Sequence, residues 1–207
     1  MAKKIMFSDK YGLTAAVLAG TKTQTRRIIE AMPKEPRIAY CLEEEAGYVH
    51  LLDGYTVVAK SRFKIGEVVA VAQNYNEVYS YYRQHNDNVC AVMNGIFGQY
   101  HAGWKNKMFV EALFMPHKIE ITNIRVERLQ DISSEDCIAE GIITKIEDKC
   151  ENGFALGYGW DTTIERLKRY TFLTPRAAYA ALIDAISGKG TWESNPLVFC
   201  YTFKFVK

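Results

Sequence analysis

The end of the chain constrains the fold most. Leu197, Phe199, Tyr201, Phe203 and Phe205 recur at every second position. Large apolar and aromatic side chains at a period of two suit a pleated strand and cannot line one side of a helix. Other strands are expected around it. Residues 5–7 form a short apolar run, and 37–42, 48–52 and 55–60 are rich in β-branched and aromatic residues. Asp53-Gly54 between the last two is a hairpin signal. Val68, Val69 and Val71 mark a further strand over 67–73, after Gly66. Over 118–128, Ile119 and Ile121 alternate, then Ile124 and Val126 continue on the other parity, which predicts a bend near Thr122-Asn123.

Helices fall between these runs. Ser8 or Asp9 can cap a helix carrying Leu13, Ala16 and Val17, and Gly20 fits its C-terminus. Ser133, with Asp136 three residues on, predicts a short helix over 133–140 that Gly141 stops. Thr174-Pro175 opens another, with Tyr179, Leu182, Ile183 and Ile186 on one face and Gly188 at its end. About six strands with inserted helices favour an α+β barrel over a doubly wound parallel sheet. Two stretches show no clean period and read as insertions: 74–116, carrying short elements, and 144–173. The first carries Tyr79, Tyr81, Tyr82, Phe97, Tyr100 and Trp104, which either stack on bases or cover the barrel. The second, with Gly153 to Gly159 in it, reads as a loop.

Composition closes several routes. The formal charge of the 207 residues is only +2, which excludes a uniformly basic nucleic-acid coat but not a local phosphate-binding patch. Cys41, Cys90, Cys137, Cys150 and Cys200 form no C-x-x-C pair, so reduced thiols are expected rather than a zinc site or a disulfide framework. His50, His85, His101 and His117 lack metal-ligand spacing. The sequence calls for no metal and no cofactor. It shows no apolar run long enough for a membrane span, and its N-terminal apolar stretch is too short for a signal peptide. A cytoplasmic protein without a membrane partner is the expectation.

The sharpest local feature is Gly20-Thr21-Lys22-Thr23-Gln24-Thr25-Arg26-Arg27. Up to residue 27 there are six cations (Lys3, Lys4, Lys10, Lys22, Arg26, Arg27) and one acid, Asp9. Planar guanidinium forks and threonine hydroxyls suit a phosphate. A solvated turn whose cations pair with surface carboxylates remains the alternative at this level.

These eight residues fit G-x-K-x-x-T-x-R at every fixed place: Gly20, Lys22, Thr25 and Arg27. The helix before Gly20, the entry Phe63-Lys64-Ile65-Gly66-Glu67, the strand after Ile119, Glu140-Gly141 and the closing aromatic strand follow in order. On these residues the chain resembles the ASCH group of the PUA-like superfamily. Val126-Glu127-Arg128-Leu129-Gln130-Asp131-Ile132 and Gly188-Lys189-Gly190-Thr191-Trp192-Glu193-Ser194-Asn195-Pro196 make it similar to the longer ASCH-like proteins of phages and prophages. The resemblance implies a single PUA-like pseudobarrel domain over 1–207, with a cleft beside the motif. It implies RNA or a modified nucleoside as partner, held by Gly20, Lys22, Thr25, Arg26, Arg27 and Gln73. One branch of the family hydrolyses N4-acetylcytidine. Carried over, its lysine, threonine and glutamate are Lys22, Thr25 and Glu140. The phage-like relatives usually carry Arg-Glu where this chain has Ala72-Gln73, so a carboxylate is replaced by an amide that binds but cannot act as a base.

Three functions follow as expectations: an RNA- or nucleoside-binding module, an amidohydrolase acting on N4-acylated cytidine, or a non-catalytic phage or mobile-element accessory protein that uses residues 74–116 as an interface. For catalysis, Lys22 can accept the Thr25 proton only if burial or nearby cations lower its pKa. Lys22 and Thr25 are three residues apart and share a side only in a turn or helix, so the catalytic reading expects a turn-like backbone over 22–25.

Overall fold

The computed structural model describes residues 2–29, 59–85, 102–144, 157–160 and 172–206 with their side chains. It describes 38–43, 46–51, 57–58, 145–150 and 153–156 as backbone. The Asp53-Gly54 turn, Phe97, Tyr100, Cys90 and His101 lie outside the described residues, as do the side chains of Cys41, Cys150 and His50.

The chain is α+β, with its strands in three sheets. The largest has the order β1-β6-β7-β10-β2, from β1 (Lys4–Ile5), β6 (Val68–Val71), β7 (Lys118–Arg128), β10 (Leu197–Val206) and β2 (Gln24–Ile28). It is an open order with β1 and β2 at its ends. A three-stranded sheet β3-β4-β5 holds β3 (Ile38–Glu43), β4 (Ala46–Leu51) and β5 (Val57–Lys64). β8 (Ile143–Cys150) and β9 (Gly153–Gly159) form a two-stranded ladder. That ladder replaces the loop expected within 144–173. The glycines of β9 leave it almost no alternation to read, while its backbone still pairs with β8 from Ile143↔Gly159 to Cys150↔Gly153.

Residue contacts divide the chain into two compact units. The first holds residues 1–7, 68–120 and 205–207. In it, β1 runs parallel to β6, with Ile5 opposite Val71, and β6 runs antiparallel to β7, with Val69 opposite Ile119. Helix α2 (Tyr75–Gln84) follows β6, inside the 74–116 stretch, whose apolar residues have no clean period. Asn74 accepts from the Glu77 N–H and the Glu77 side chain accepts from the Asn74 N–H, a reciprocal cap that the N-x-x-E pattern announces. Tyr75 and Val78 pack with Ala70, Ala72, Val110 and Met115, and Tyr82, Trp104 and Phe114 lean on that cluster. The described aromatics of this insertion thus pack largely on the unit's own core and on one another, as Tyr79 does on Trp104 with ring centroids 6.0 Å apart. The Lys4 ammonium ties β1 to the insertion by donating to the carbonyls of Lys107, Met108 and Val110 at 3.1, 2.6 and 2.7 Å.

The second unit holds residues 8–67 and 121–204. β2 and β10 pair antiparallel, from Val198↔Ile28 to Thr202↔Gln24. Leu197, Phe199, Tyr201 and Phe203 are buried, as the alternation predicts, and so are Val198 and Cys200 on the other parity. An interior strand is covered on both faces, so the aromatic face alone understated its burial. β7 turns over where expected: Thr122 and Asn123 are both exposed, and Ile124 resumes burial on the other parity. Helix α1 (Leu13–Leu18) buries Leu13 and Val17. Helix α3 (Ser134–Ala139) starts at Ser133, whose hydroxyl accepts from the Asp136 N–H at 3.0 Å. Helix α4 (Pro175–Ser187) starts at Thr174, with Pro175 in its first turn, and buries Ala178, Tyr179, Leu182 and Ile183. Ile186, expected on the same stripe, is exposed in the last turn. No helix among the described residues is long and apolar enough to cross a membrane.

Candidate functional site

Gly20, at φ +74°, lets the chain fold back over the end of α1. The N–H groups of Thr21 and Lys22 both donate to the Ala16 carbonyl at 3.0 Å. A φ this positive is cheap for glycine and strained for other residues, so the reversal depends on Gly20. Thr23 then locks the exit. Its N–H donates to the Ala139 carbonyl at 2.8 Å, and its own carbonyl accepts from the Phe203 N–H at 2.9 Å. The backbone is therefore pinned on both sides of Lys22, and the lysine side chain is carried inward.

Lys22 is 2% exposed and Glu140, at the end of α3, is 4% exposed. The Lys22 ammonium donates to Glu140 Oε2 at 2.6 Å and to the Glu140 carbonyl at 2.6 Å. Arg26 reaches the other carboxylate oxygen, with Nη1 3.1 Å from Glu140 Oε1. Its remaining donors are also engaged: Nε with Glu127 Oε1 at 2.7 Å and Nη2 with Asp136 Oδ2 at 2.6 Å. Gln24 donates to Asp136 Oδ1 at 2.9 Å, and Arg125 reaches Asp136 Oδ2 at 2.6 Å. Lys22, Arg26 and Arg125 thus face Glu127, Asp136 and Glu140, a network of balanced charge whose centre, Lys22, Arg26 and Glu140, is buried. Balance is what makes such burial tolerable, because an unmatched ion there would be far costlier than one in water.

The network sets proton affinities. Burial pulls Lys22 below its ordinary value. Glu140 opposes this by charge and hydrogen bond, while the Arg27 and Arg26 charges reinforce it. Burial alone would raise Asp136, but the hydrogen bonds from Arg26 and Gln24 and the charges of Arg26 and Arg125 hold it below the usual carboxylate range. Cys137 and Cys200, both free thiols, are pushed up to about 12 by burial, so neither is a thiolate at neutral pH.

The predicted site residues divide into groups. Lys22, Arg26 and Glu140 meet directly, although 118 residues separate the first from the last. The turn ends before Thr25, because β2 begins at Gln24. Successive side chains of a strand point to opposite faces, so Thr25 faces away from Gln24 and Arg26. It lies opposite Tyr201 in register and is buried. The turn-like backbone expected across 22–25 therefore spans only its first half. Arg27 follows on the Thr25 parity and is exposed. Gln73 belongs to the other compact unit, where its amide oxygen lies 2.7 Å from His117 Nδ1.

No family model, no curated protein and no solved structure matches the chain. The site has to be read from its own geometry.

Gln24, Arg125, Glu127 and Asp136 were missed in sequence. The one available signal was the alternation of Gln24 with Arg26 in a strand, which puts both polar groups on the Lys22 side. Gly141 matters as well. A cavity of about 200 Å³ is lined by Tyr11, Ala15, Ala16, Ala19, Thr21 and Gly141. Thr21 and Gly141 are the chain neighbours of Lys22 and Glu140, so the buried pair lies one backbone layer from the hollow. Among the described residues no group of three or more histidine, cysteine or carboxylate side chains is placed to hold a metal ion.

Gly141 itself gives a first test. Its φ is +101°, and a Cβ added there would lie 3.3 Å from Leu13 Cδ2 and 3.6 Å from Lys22 Cδ. Backbone strain of this kind costs on the order of 1–3 kcal/mol. We expect Gly141→Ala to lower the unfolding free energy in urea by about that much, with the m-value unchanged. A loss below about 0.5 kcal/mol, the scatter of neutral surface changes, would remove Gly141 from the construction of the site.

Proposed function

We propose that the chain is an ASCH-type protein with a PUA-like pseudobarrel that binds RNA or a modified nucleoside beside residues 20–27, in the cytoplasm and without a metal or cofactor. The observation that carries this reading is the buried contact of Lys22 with Glu140, next to a hollow walled by their own chain neighbours. Two residues of the 20–27 stretch, Lys22 and Arg26, meet on one distant carboxylate, Glu140. A lysine desolvated enough to lose proton affinity, held beside a cavity, is the kind of group that concentrates at functional sites. The hollow is smaller than pockets that engulf drug-sized ligands, which suits one ring rather than a whole cofactor.

The test is equilibrium binding at low salt to cytidine, N4-acetylcytidine and a short oligoribonucleotide. Wild type is expected to bind at least one of them. Lys22→Ala with Arg27→Ala, checked for fold by circular dichroism, is expected to weaken that binding at least roughly tenfold, about 1.4 kcal/mol. No binding of any of the three by wild type refutes the proposal.

The lowered proton affinity of Lys22 also favours a second reading, hydrolysis of an N4-acylated cytidine by Lys22, Thr25 and Glu140. Lys22 and Glu140 are in contact, as that chemistry needs. Thr25 sits on the opposite parity of β2, which makes binding the better supported function. Release of cytidine from N4-acetylcytidine by wild type, lost in Lys22→Ala, would reverse that order.

A further inference from the structure

The hollow next to the buried pair has a chemistry of its own. No charged side chain lines it. Besides glycine, its walls are Ala15 and Ala16 of α1, Ala19 at the C-cap of that helix, Tyr11, Thr21 and Ile143. Both hydroxyls of the wall already donate to protein carbonyls. Thr21 donates to the Ala16 carbonyl at 3.0 Å, and Tyr11 donates to the Ala185 carbonyl at 2.9 Å. The backbone around the hollow is engaged as well. The N–H groups of Gly12, Ala16, Ala19, Thr21 and Gly141 donate to the carbonyls of Asp9, Gly12, Ala15, Ala16 and Ile138, all at 2.9 to 3.0 Å. An anion, or the polar edge of a base, would lose its water on entering and find none of these donors open. Burial on those terms is costly, whereas burial of an apolar group is favourable.

One wall is a braced aromatic ring. The hydroxyl bond to Ala185 ties Tyr11 to α4. Trp160 meets the Tyr11 ring edge-on, with centroids 6.3 Å apart and planes at 79°. Phe172 in turn stacks on Trp160 at 5.9 Å and 25°. A flat group laid against Tyr11 therefore meets a surface that is already ordered, which removes one cost of binding. Ala15 and Ala19 are exposed, so the hollow opens to solvent along α1. Its volume of about 200 Å³ is enough for one ring. An apolar cavity of about 150 Å³ already admits benzene.

We infer that the hollow is a binding site for an uncharged apolar ring of about the size of benzene, with Ala15, Ala16 and Ala19 setting its depth and Tyr11 forming its flat wall. This rests on the binding function proposed above and narrows its ligand. The part that enters the hollow carries neither charge nor a hydrogen-bonding edge, and any polar or anionic part stays outside. None of the cations of residues 20–27 lines the hollow, so they do not draw an anion into it. Methyl side chains on three sides make the site a size filter, since one larger side chain on α1 would fill it.

The experiment uses two rings of similar size and opposite polarity, fluorobenzene and 5-fluorocytosine, both followed by fluorine NMR. Wild type is expected to bind fluorobenzene saturably, with a roughly millimolar Kd, the scale open to a single small ring. It should bind 5-fluorocytosine at least roughly tenfold more weakly, because that ring's polar edge finds no partners. Ala15→Leu changes an exposed helical position and fills the hollow, so it should weaken fluorobenzene at least roughly tenfold. Ala19→Leu fills it from the other end and serves as the second variant, with circular dichroism checking the fold of both. Cytidine, N4-acetylcytidine and a short oligoribonucleotide are titrated in parallel. No saturable fluorobenzene binding by wild type overturns the inference. So does equal binding of the two rings, and so does fluorobenzene binding that both folded variants keep. Any of these results together with binding of cytidine, N4-acetylcytidine or the oligoribonucleotide leaves the proposed function standing. Fluorobenzene binding that both variants lose, with none of those three ligands bound, keeps the apolar site and removes the proposed function.

Discussion

Glu140→Gln is expected to destabilise the chain by about 3–5 kcal/mol at pH 7, the usual result of removing one partner from a buried ion pair. The substitution keeps the volume and removes the charge that Lys22 and Arg26 share. Lys22 then has two choices. It can stay charged against one carbonyl and one amide oxygen, or it can release its proton. The second choice sets a ceiling. Holding a lysine neutral at pH 7 costs about 1.4 kcal/mol per pH unit below 10.5, or roughly 5 kcal/mol. The pH dependence carries a definite sign. Lys22 already binds its proton less tightly folded than unfolded, and losing Glu140 removes the main influence that opposes this. Where the unfolded chain holds more protons, stability rises with pH. The Glu140→Gln deficit should therefore shrink between pH 7 and pH 10. Lys22→Met should cost less than Glu140→Gln, because Arg26 still holds Glu140. Adding Lys22→Met to Glu140→Gln should restore part of the loss. Urea unfolding at pH 7 and pH 9 checks all three statements. Equal deficits at both pH values, or no recovery in the double variant, would mean that Lys22 is not held as described.

Local signals were legible in the sequence, and long-range convergence was legible only in part. The Thr174 and Ser133 caps, the bend after Ile121 and the period-two closing strand depend on neighbours a few residues apart, and the structure has all of them. Helix α2 depends on neighbours too, through the reciprocal Asn74–Glu77 cap, but its run of tyrosines shows no apolar period. β9 was hidden for the opposite reason. A glycine-rich strand has little side-chain pattern, and only pairing to β8 reveals it. The contact of Lys22 with Glu140 was expected from the family resemblance and not from spacing. Thr25 shows the limit of spacing. Three residues from Lys22 meant the same side only if the turn continued, and the pairing of β2 with β10 ends the turn at Thr23. Glu127 and Asp136 had no local signal that they would share Arg26, nor Arg125 that it would share Asp136. Arg125 and Glu127 lie on β7 and Asp136 on α3, and only the tertiary fold brings the two carboxylates to the Arg26 guanidinium.

Arg26 is where the largest acid-side effect is expected. Its side chain is wholly buried and touches three carboxylates, Glu127, Asp136 and Glu140. Replacing it with methionine keeps much of the volume and leaves three acids with two cations, Lys22 and Arg125. At pH 7 the loss should be about 3–5 kcal/mol, the cost of an unmatched buried charge. The titration separates this from a packing defect. In wild type, Asp136 is held below its ordinary 3.8, so its stabilising contribution is present above that value and lost as pH falls through the folded value. Without Arg26, Asp136 keeps only the Gln24 hydrogen bond and the Arg125 charge against burial, so its carboxyl moves up from the wild-type value and acid unfolding should begin at a higher pH. Arg26→Lys should restore the charge but not the fork, since one ammonium cannot reproduce a planar fork that bonds Glu127, Asp136 and Glu140 at once. It should recover the acid midpoint further than the free energy at pH 7. Circular dichroism followed from pH 7 down to pH 2, beside urea unfolding at pH 7, gives both readouts. If Arg26→Met loses stability at pH 7 but unfolds in acid at the wild-type pH, the residue is packing material and not the centre of the charge network.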